Sequence, residues 1–431
     1  MIAPARRAAV DALALVDIGA LDLGGAIARV RPTLEDERDR ALLLELVSGT
    51  LRMRNALDYQ LAMRVNRPLQ RLDAAVLRIL RVSGFQLLYL SKVPASAIIN
   101  DAVELTRRSG KSSAAGLTNA VLRSLSRDRD RLSWPPPEQP LEHLSIVHSH
   151  PSWLVDRWIA RYGVAGTASW LAFNNQPAPV CLAVNRTIST RDALRDELAA
   201  SGIVTRPTAR ARNGLEAVTG RPLASAAFAS GRFVVQDEAS QLIAELAEVP
   251  PGATVLDLCA SPGGKTLALA AMVGPCGRVV ACDTRPHRLD LLAHTLERCR
   301  IANAAVVLVA AQGRLPFRDH RFDLVLIDAP CSGLGTIRRD PDIKWRRSVE
   351  DLGRFAAAQG DLLSRAAGLV KRGGALVYST CSSEPEENDD VVAAFRESRR
   401  DFSLQRTHLT LPFRDRLEAF FGAVLVRRTS V

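Results

Sequence analysis

The chain has 431 residues, 47% of them apolar and 24% charged. That is ordinary globular composition, and it excludes a mostly disordered chain, a collagen and a small disulfide scaffold. Lys and Arg number 57 against 46 Asp and Glu, a net charge of +11, which favours a polyanionic partner, nucleic acid foremost. At about 100–200 residues per domain the length predicts two to four domains. None of the seven Cys forms a C-x-x-C pair, which argues against a zinc site built that way, and the odd count excludes a fully paired disulfide framework. Reduced thiols in a cytoplasmic protein fit best. No apolar run reaches the roughly 20 residues of a membrane span. The first residues carry Asp11, Asp17 and Asp22, unlike a signal or transit peptide. Neither a metal nor a membrane partner is expected, and a monomer is the default.

Residues 1–132 repeat apolar positions every three to four residues, which predicts a helical bundle. AAVLRILRVSGFQLLYL is one such stretch, and ASAIINDAVELTRRSG follows with Gly110 at its C-terminal cap. AAGLTNAVLRSLSRDRDRL is a third. Met1 to Pro135 hold 21 Lys and Arg against 14 Asp and Glu, so much of the charge excess lies here. The basic face reads equally as an RNA-docking surface or as a solvated one. SWPPPEQP, from Ser133 to Pro140, is a stiff linker. Residues 141–232 predict a small α+β module: a helix in PSWLVDRWIARYG, a strand in VCLAVNRT, and a helix in TRDALRDELAASG capped by Thr190. From Phe233 to the C-terminus strands and helices alternate, which predicts a parallel α/β sheet with crossover helices.

Within that last region, TVLDLCASPGGKTLALAAMV joins a buried strand to an apolar helix through a small-residue loop. Such a loop lets backbone N–H groups meet an anionic ligand at the helix start. The GGKT ending resembles a nucleotide-phosphate loop, but Cys259 stands where that motif needs its first glycine. Nineteen residues past Gly264, Asp283 ends a second strand, where an acid can accept hydrogen bonds from a ribose diol. The pair suits S-adenosylmethionine as well as a dinucleotide.

Two further strands end in chemistry. FDLVLIDAPCSGLGTIRRDPDIKW carries Asp328 at a strand end and Cys331 three residues later, and ALVYSTCSSEPEEN carries Cys381 just beyond another strand. Strand carboxyl ends form the ligand crevice of an open parallel sheet. A thiolate adding to carbon 6 of a pyrimidine makes carbon 5 nucleophilic enough to take an electrophilic methyl group. A carboxylic acid at N3 and a second thiol to assist release complete that chemistry. Cys181, Cys276, Cys282 and Cys299 read as inert.

LCASPGGKT, DAPCSGLGTIRRDPDIKW and YSTCSSEPEEN together resemble the RNA cytosine-5 methyltransferases. RILRVSGFQLLYL and GLTNAVLRSL resemble a NusB-like RNA-binding domain, and VVQDEASQL fits the same group. The whole chain is similar to the RsmB (Sun) type, which methylates 16S ribosomal RNA. The resemblance implies a Rossmann-like domain over 233–431 that uses S-adenosyl-L-methionine. It implies Cys381 as nucleophile, Cys331 as the release thiol, Asp328 as the acid facing N3, and Lys265 as its partner. Cys259, Ala260, Ser261, Pro262, Gly263, Gly264 and Lys265 would surround the methionine end of the cofactor, Asp328 would lie close to it, and Asp283 would hold the ribose. The family usually has an Asp after the third strand; here Gln312 stands there, an uncharged acceptor for the adenine amino group. Ser261 replaces a more usual Ala. IRRDPDIKWRR offers Arg338, Arg339 and Lys344 for phosphate contacts, while Trp345 either stacks a base or anchors the loop. Rival readings are a transfer RNA cytosine-5 methyltransferase and a non-catalytic, antitermination-like RNA-binding module.

Overall fold

A computed structural model describes residues 2–429. It divides into two compact units: residues up to Pro177 together with Ile337–Arg347, and Ala178–Thr336 together with Ser348 onward. Among the described residues no helix is long and apolar enough to cross a membrane, and no three His, Cys, Asp or Glu stand grouped as metal ligands would.

The first unit is helical. Its elements are α1 (Pro4–Asp17), α2 (Leu23–Val30), α3 (Glu37–Arg52), α4 (Arg54–Ala62), α5 (Ala74–Tyr89), α6 (Ala95–Arg108) and α7 (Ala115–Arg127). Helices α8 (Pro140–Val147) and α9 (Ser152–Asn174) follow, the latter kinked at Gly163. Short polar residues start several of these helices: Asp22, Asp36 and Asp73 each accept a first-turn backbone N–H. Leu43, Leu46, Leu57, Leu61, Leu80 and Leu122 are fully buried in one core. Each such side chain contributes about 1.5–3 kcal/mol.

The second unit holds two sheets. The small one contains β1 (Val180–Val184), β2 (Val204–Pro207), β3 (Gly214–Thr219) and β4 (Phe233–Val235) in the order β2-β3-β1-β4, all antiparallel. Helix α10 (Arg191–Ala200), whose first turn is capped by the Thr190 hydroxyl as expected, buries Leu194 and Leu198 beside Leu182, Leu215 and Phe233. A single turn, α11 (Ala226–Ala229), precedes β4, and α12 (Glu238–Glu245) follows it.

The large sheet alternates with helices: β5 (Thr254–Leu258), α13 (Gly264–Val273), β6 (Arg278–Asp283), α14 (Pro286–Arg298), β7 (Ala304–Leu308) and β8 (Phe322–Asp328). A one-turn α15 (Ile343–Arg346) and α16 (Val349–Ala367) lead to β9 (Val370–Thr380), α17 (Asp389–Ser398), β10 (Phe402–Leu409), the one-turn α18 (Pro412–Asp415) and β11 (Phe421–Arg427). The strand order is β10-β11-β9-β8-β5-β6-β7.

Three sequence expectations change. Phe233–Val235 does not open the large sheet; it pairs antiparallel with β1, with Val184 opposite Phe233. The last two strands are not parallel: β11 runs antiparallel to both β9 and β10. The segment Ile337–Arg347 leaves the α/β unit and packs in the helical one. There the Trp345 indole donates to the Leu51 carbonyl at 2.6 Å and its ring adds to the helical core.

Candidate active site

β9, β8, β5, β6 and β7 are parallel neighbours, so their carboxyl ends share one edge of the sheet. Along that edge stand Cys381 after β9, Asp328 closing β8, residues 259–264 after β5, Asp283 closing β6, and exposed Gln312 four residues past β7.

The loop after β5 is shaped by its backbone. The Ala260 N–H donates to the Cys282 carbonyl and the Gly263 N–H to the Ala260 carbonyl, both at 2.8 Å. Gly263 has φ +108°, which disfavours a side chain, and from there α13 begins. Burial pushes the Cys259 thiol up to about 12, so it is an inert hydrophobe here. Asp283 Oδ1 accepts the N–H groups of Thr284 and Arg285. Its Oδ2 is buried without a hydrogen-bond donor among the described residues, 3.3 Å from the Arg288 guanidinium. A buried acceptor left open costs about 1–3 kcal/mol unless a ligand supplies the donor. A ribose hydroxyl fits that vacancy. Helix α14 begins at Pro286 with Arg285 as its cap residue, so Asp283 is not the cap.

Beside this loop Lys265 Nζ donates to Asp328 Oδ2 at 2.7 Å and to Ser240 Oγ at 2.9 Å. The Ser379 hydroxyl donates to Asp328 Oδ1 at 3.0 Å, so the carboxylate is fixed at both oxygens. The sulfurs of Cys331 and Cys381 are 3.2 Å apart, and both are free thiols. Hydrogen bonding to Cys381 and then burial push the Cys331 thiol well above its ordinary range. Cys331 thus holds its proton.

The sequence does not reveal what holds these two thiols. Glu387 is fully buried, and its carboxylate accepts from the Ser332 N–H at 2.7 Å, from the hydroxyls of Ser332 and Ser382, and from Gln359 Nε2 at 3.1 Å. It ties the residue after each cysteine to one point. The Thr380 hydroxyl donates to Asn388 Oδ1, and Asn388 Nδ2 donates to the Ser382 carbonyl at 3.0 Å. At Gly335 an added Cβ would lie 1.9 Å from the Ala419 carbonyl oxygen, so only glycine lets the Cys331 turn close against the Cys381 segment. Glu387 and Asn388 sit inside YSTCSSEPEEN, and Ser240 inside VVQDEASQL; those motifs were the available signal.

Lys344 is fully buried, and its Nζ donates to the Arg52 carbonyl at 2.9 Å. Burial holds it well below the usual lysine range. Reaching a phosphate would require unpacking it, so the expectation for Lys344 is corrected. Arg338 donates to the Pro177 carbonyl at 2.6 Å and lies over the Phe173 ring at 4.3 Å. Arg339 is half-buried. This loop is an anchor, and Trp345 is part of it.

Three family descriptions cover the chain. NusB matches residues 3–127, an RsmF/B-like ferredoxin-like domain matches 150–223, and 16S rRNA methyltransferase RsmB/F matches 245–420. The probable ribosomal RNA small subunit methyltransferase B of Bacillus subtilis is 36% identical over 367 residues, covering 85% of this chain and 82% of that protein. The chain belongs to the RsmB/F family of 16S rRNA methyltransferases. A Serratia proteamaculans ribosomal RNA small subunit methyltransferase B is 34% identical across 96% of this chain and 98% of its own. Among solved structures, PH0851 superposes with a TM-score of 0.83 at 25% identity, covering 99% of both chains. NSun6 from Pyrococcus horikoshii, solved with SFG, gives 0.59 over 66% of this chain and 100% of its own at 19% identity, a likeness of fold. An RsmB/F chain is expected to have these three parts in this order, a helical domain, a small α/β module and a Rossmann-like sheet.

Proposed function

We propose that this RsmB/F protein transfers a methyl group from S-adenosyl-L-methionine to carbon 5 of a cytosine in 16S rRNA. The observation that carries the reading is the pair of thiols 3.2 Å apart on the strand edge that also bears the Lys265–Asp328 ion pair. The family supplies the choice of small-subunit ribosomal RNA over transfer RNA. A module that only binds RNA has no use for this combination.

The 259–264 loop and the start of α13 would hold the methionine end of the cofactor, Asp283 Oδ2 the ribose, and the Gln312 carbonyl the adenine amino group. Bound there, the cofactor supplies an electrophilic methyl group. Asp328 faces N3 of the target cytosine, with Lys265 and Ser379 holding its orientation. The Cys381 thiolate adds to carbon 6 and forms an S–C bond; the ring electrons shift toward N3, and Asp328, which must carry a proton at this step, passes it to N3. Carbon 5, now enamine-like, takes the methyl group. The carbon 5 hydrogen then leaves as a proton to solvent, the S–C6 bond breaks to free product and the Cys381 thiolate, and N3 returns its proton to Asp328; Cys331 assists this release. The target base must leave its stack to present both faces.

Removing Cys331 while keeping Cys381 tests the division of labour. Cys331→Ala is expected to stall as a protein–RNA adduct that survives denaturing electrophoresis, and Cys381→Ala to form neither adduct nor product. Adduct formation by Cys381→Ala instead would reverse the two roles.

A further inference from the structure

The helical unit contains a cavity of about 430 Å³. Its wall combines Leu51, Leu77 and Trp345 with the guanidinium groups of Arg54, Arg81 and Arg346. The volume lies within the about 300–1,000 Å³ of small-ligand pockets. Two of the three cations are already matched. Arg81 makes a two-pronged bond to Asp58, 2.7 Å at each prong, and Arg346 pairs with Asp342 at 2.9 Å. Asp17, which also lines the cavity, is taken by Arg78 at 3.0 Å.

Arg54 is different. It is half-buried and has neither a hydrogen bond nor an ion pair among the described residues; its guanidinium lies 5.5 Å from the Trp345 ring centroid. It is also the first residue of α4, where the helix end repels a cation. Burial and then the neighbouring Arg81 act against its charge, while Asp58 and Asp17, each already held by another arginine, favour it without touching it. A half-buried cation with no carboxylate in direct contact, opening on a cavity with an apolar wall, suits an amphiphilic anion of single charge.

We propose that this cavity is a nucleotide subsite. One phosphodiester group of single-stranded RNA sits on Arg54, and the adjoining nucleoside lies against Leu51, Leu77 and Trp345. The inference deepens the reading of the protein as an RNA methyltransferase and moves RNA contact from Lys344 to the outer face of the same loop. A phosphodiester carries one negative charge, which matches the single unpaired cation.

The probe is a single-stranded oligouridylate of about twelve nucleotides, titrated onto the full chain across a range of salt concentrations. Removing one phosphate contact is expected to flatten the log K against log[salt] slope by about 0.7. Arg54→Gln should show that change with about tenfold weaker binding, the typical loss of one charge-assisted bond, and Arg54→Lys should restore the slope. Ala74→Glu places a carboxylate on the cavity wall at the first residue of α5, where a helix start favours it, and should weaken binding without lowering the melting temperature. An unchanged slope in Arg54→Gln, together with unchanged binding in Ala74→Glu, overturns the inference. So does equal competition by uridine 5′-monophosphate, which would make the cavity a free-nucleotide site. A wild-type protein that shows the Arg54-dependent slope yet does not methylate 16S RNA would sink the methyltransferase reading and leave the subsite standing; methylation with an unaffected slope would do the reverse.

Discussion

Asp257 is fully buried on β5, with Oδ2 accepting the Thr266 hydroxyl at 2.6 Å and Oδ1 left without a donor among the described residues. Burial first, and then the charges of Asp328 and Asp283, raise it to about 7, against an ordinary value near 4. A carboxyl raised in the native state binds its proton there to higher pH than in the unfolded chain. Between about pH 4 and pH 7 the native state therefore holds more protons, and stability falls as pH rises through that window. Asp257→Asn removes the titration, so its melting temperature is expected to fall less than that of the wild type between pH 4.5 and pH 7.5; parallel falls would count against the buried carboxyl. At this scale the sequence was generous where chemistry leaves a pattern. Cys381, Cys331, Asp328 and Asp283 stand at or just beyond strand ends, and Lys265 opens the helix after the loop that follows β5, all within distinctive motifs. Asp257 and Glu387 were illegible because a buried acid betrays itself only by what surrounds it.

Between elements, the two cysteine turns are joined through Glu387. One carboxylate takes the Ser332 backbone and hydroxyl from the turn after β8, the Ser382 hydroxyl from the turn after β9, and Gln359 from α16. Glu387→Gln keeps the size but replaces one acceptor oxygen by a donor facing hydroxyls and an amide. Loss of a buried charged acceptor costs about 1–3 kcal/mol or more. The expected result is a fall in kcat of tenfold or more with cofactor affinity unchanged, read from single-turnover methylation and from a binding titration. A parallel loss of cofactor affinity would mean that Glu387 supports the whole edge. Element order was largely legible, since a helix follows each of β5, β6, β8 and β9. The misplacements have physical causes. Phe233–Val235 is only three residues long, and its partner, β1, lies about fifty residues upstream. Ile337–Arg347 reads as a basic loop offered to phosphates, but Lys344 and Trp345 satisfy carbonyls of α3 and bury their stems.

Over the whole molecule, the excess of 57 basic over 46 acidic side chains suits a polyanionic substrate, and the Met1–Pro135 share of 21 against 14 puts much of it on the helices. Composition could say no more than that; the motifs supplied the chemistry, and the three family matches supply the order of parts. The central claim, that this edge methylates carbon 5 of a 16S rRNA cytosine through Cys381, is most directly tested by one measurement. Labelled methyl transfer from S-adenosyl-L-methionine to protein-free 16S RNA should be mapped at nucleotide resolution for the wild type and Cys381→Ala. A single new 5-methylcytosine that disappears in Cys381→Ala is the predicted result. Transfer that persists undiminished in Cys381→Ala, or a methyl group mapped to any atom other than carbon 5 of cytosine, would contradict it.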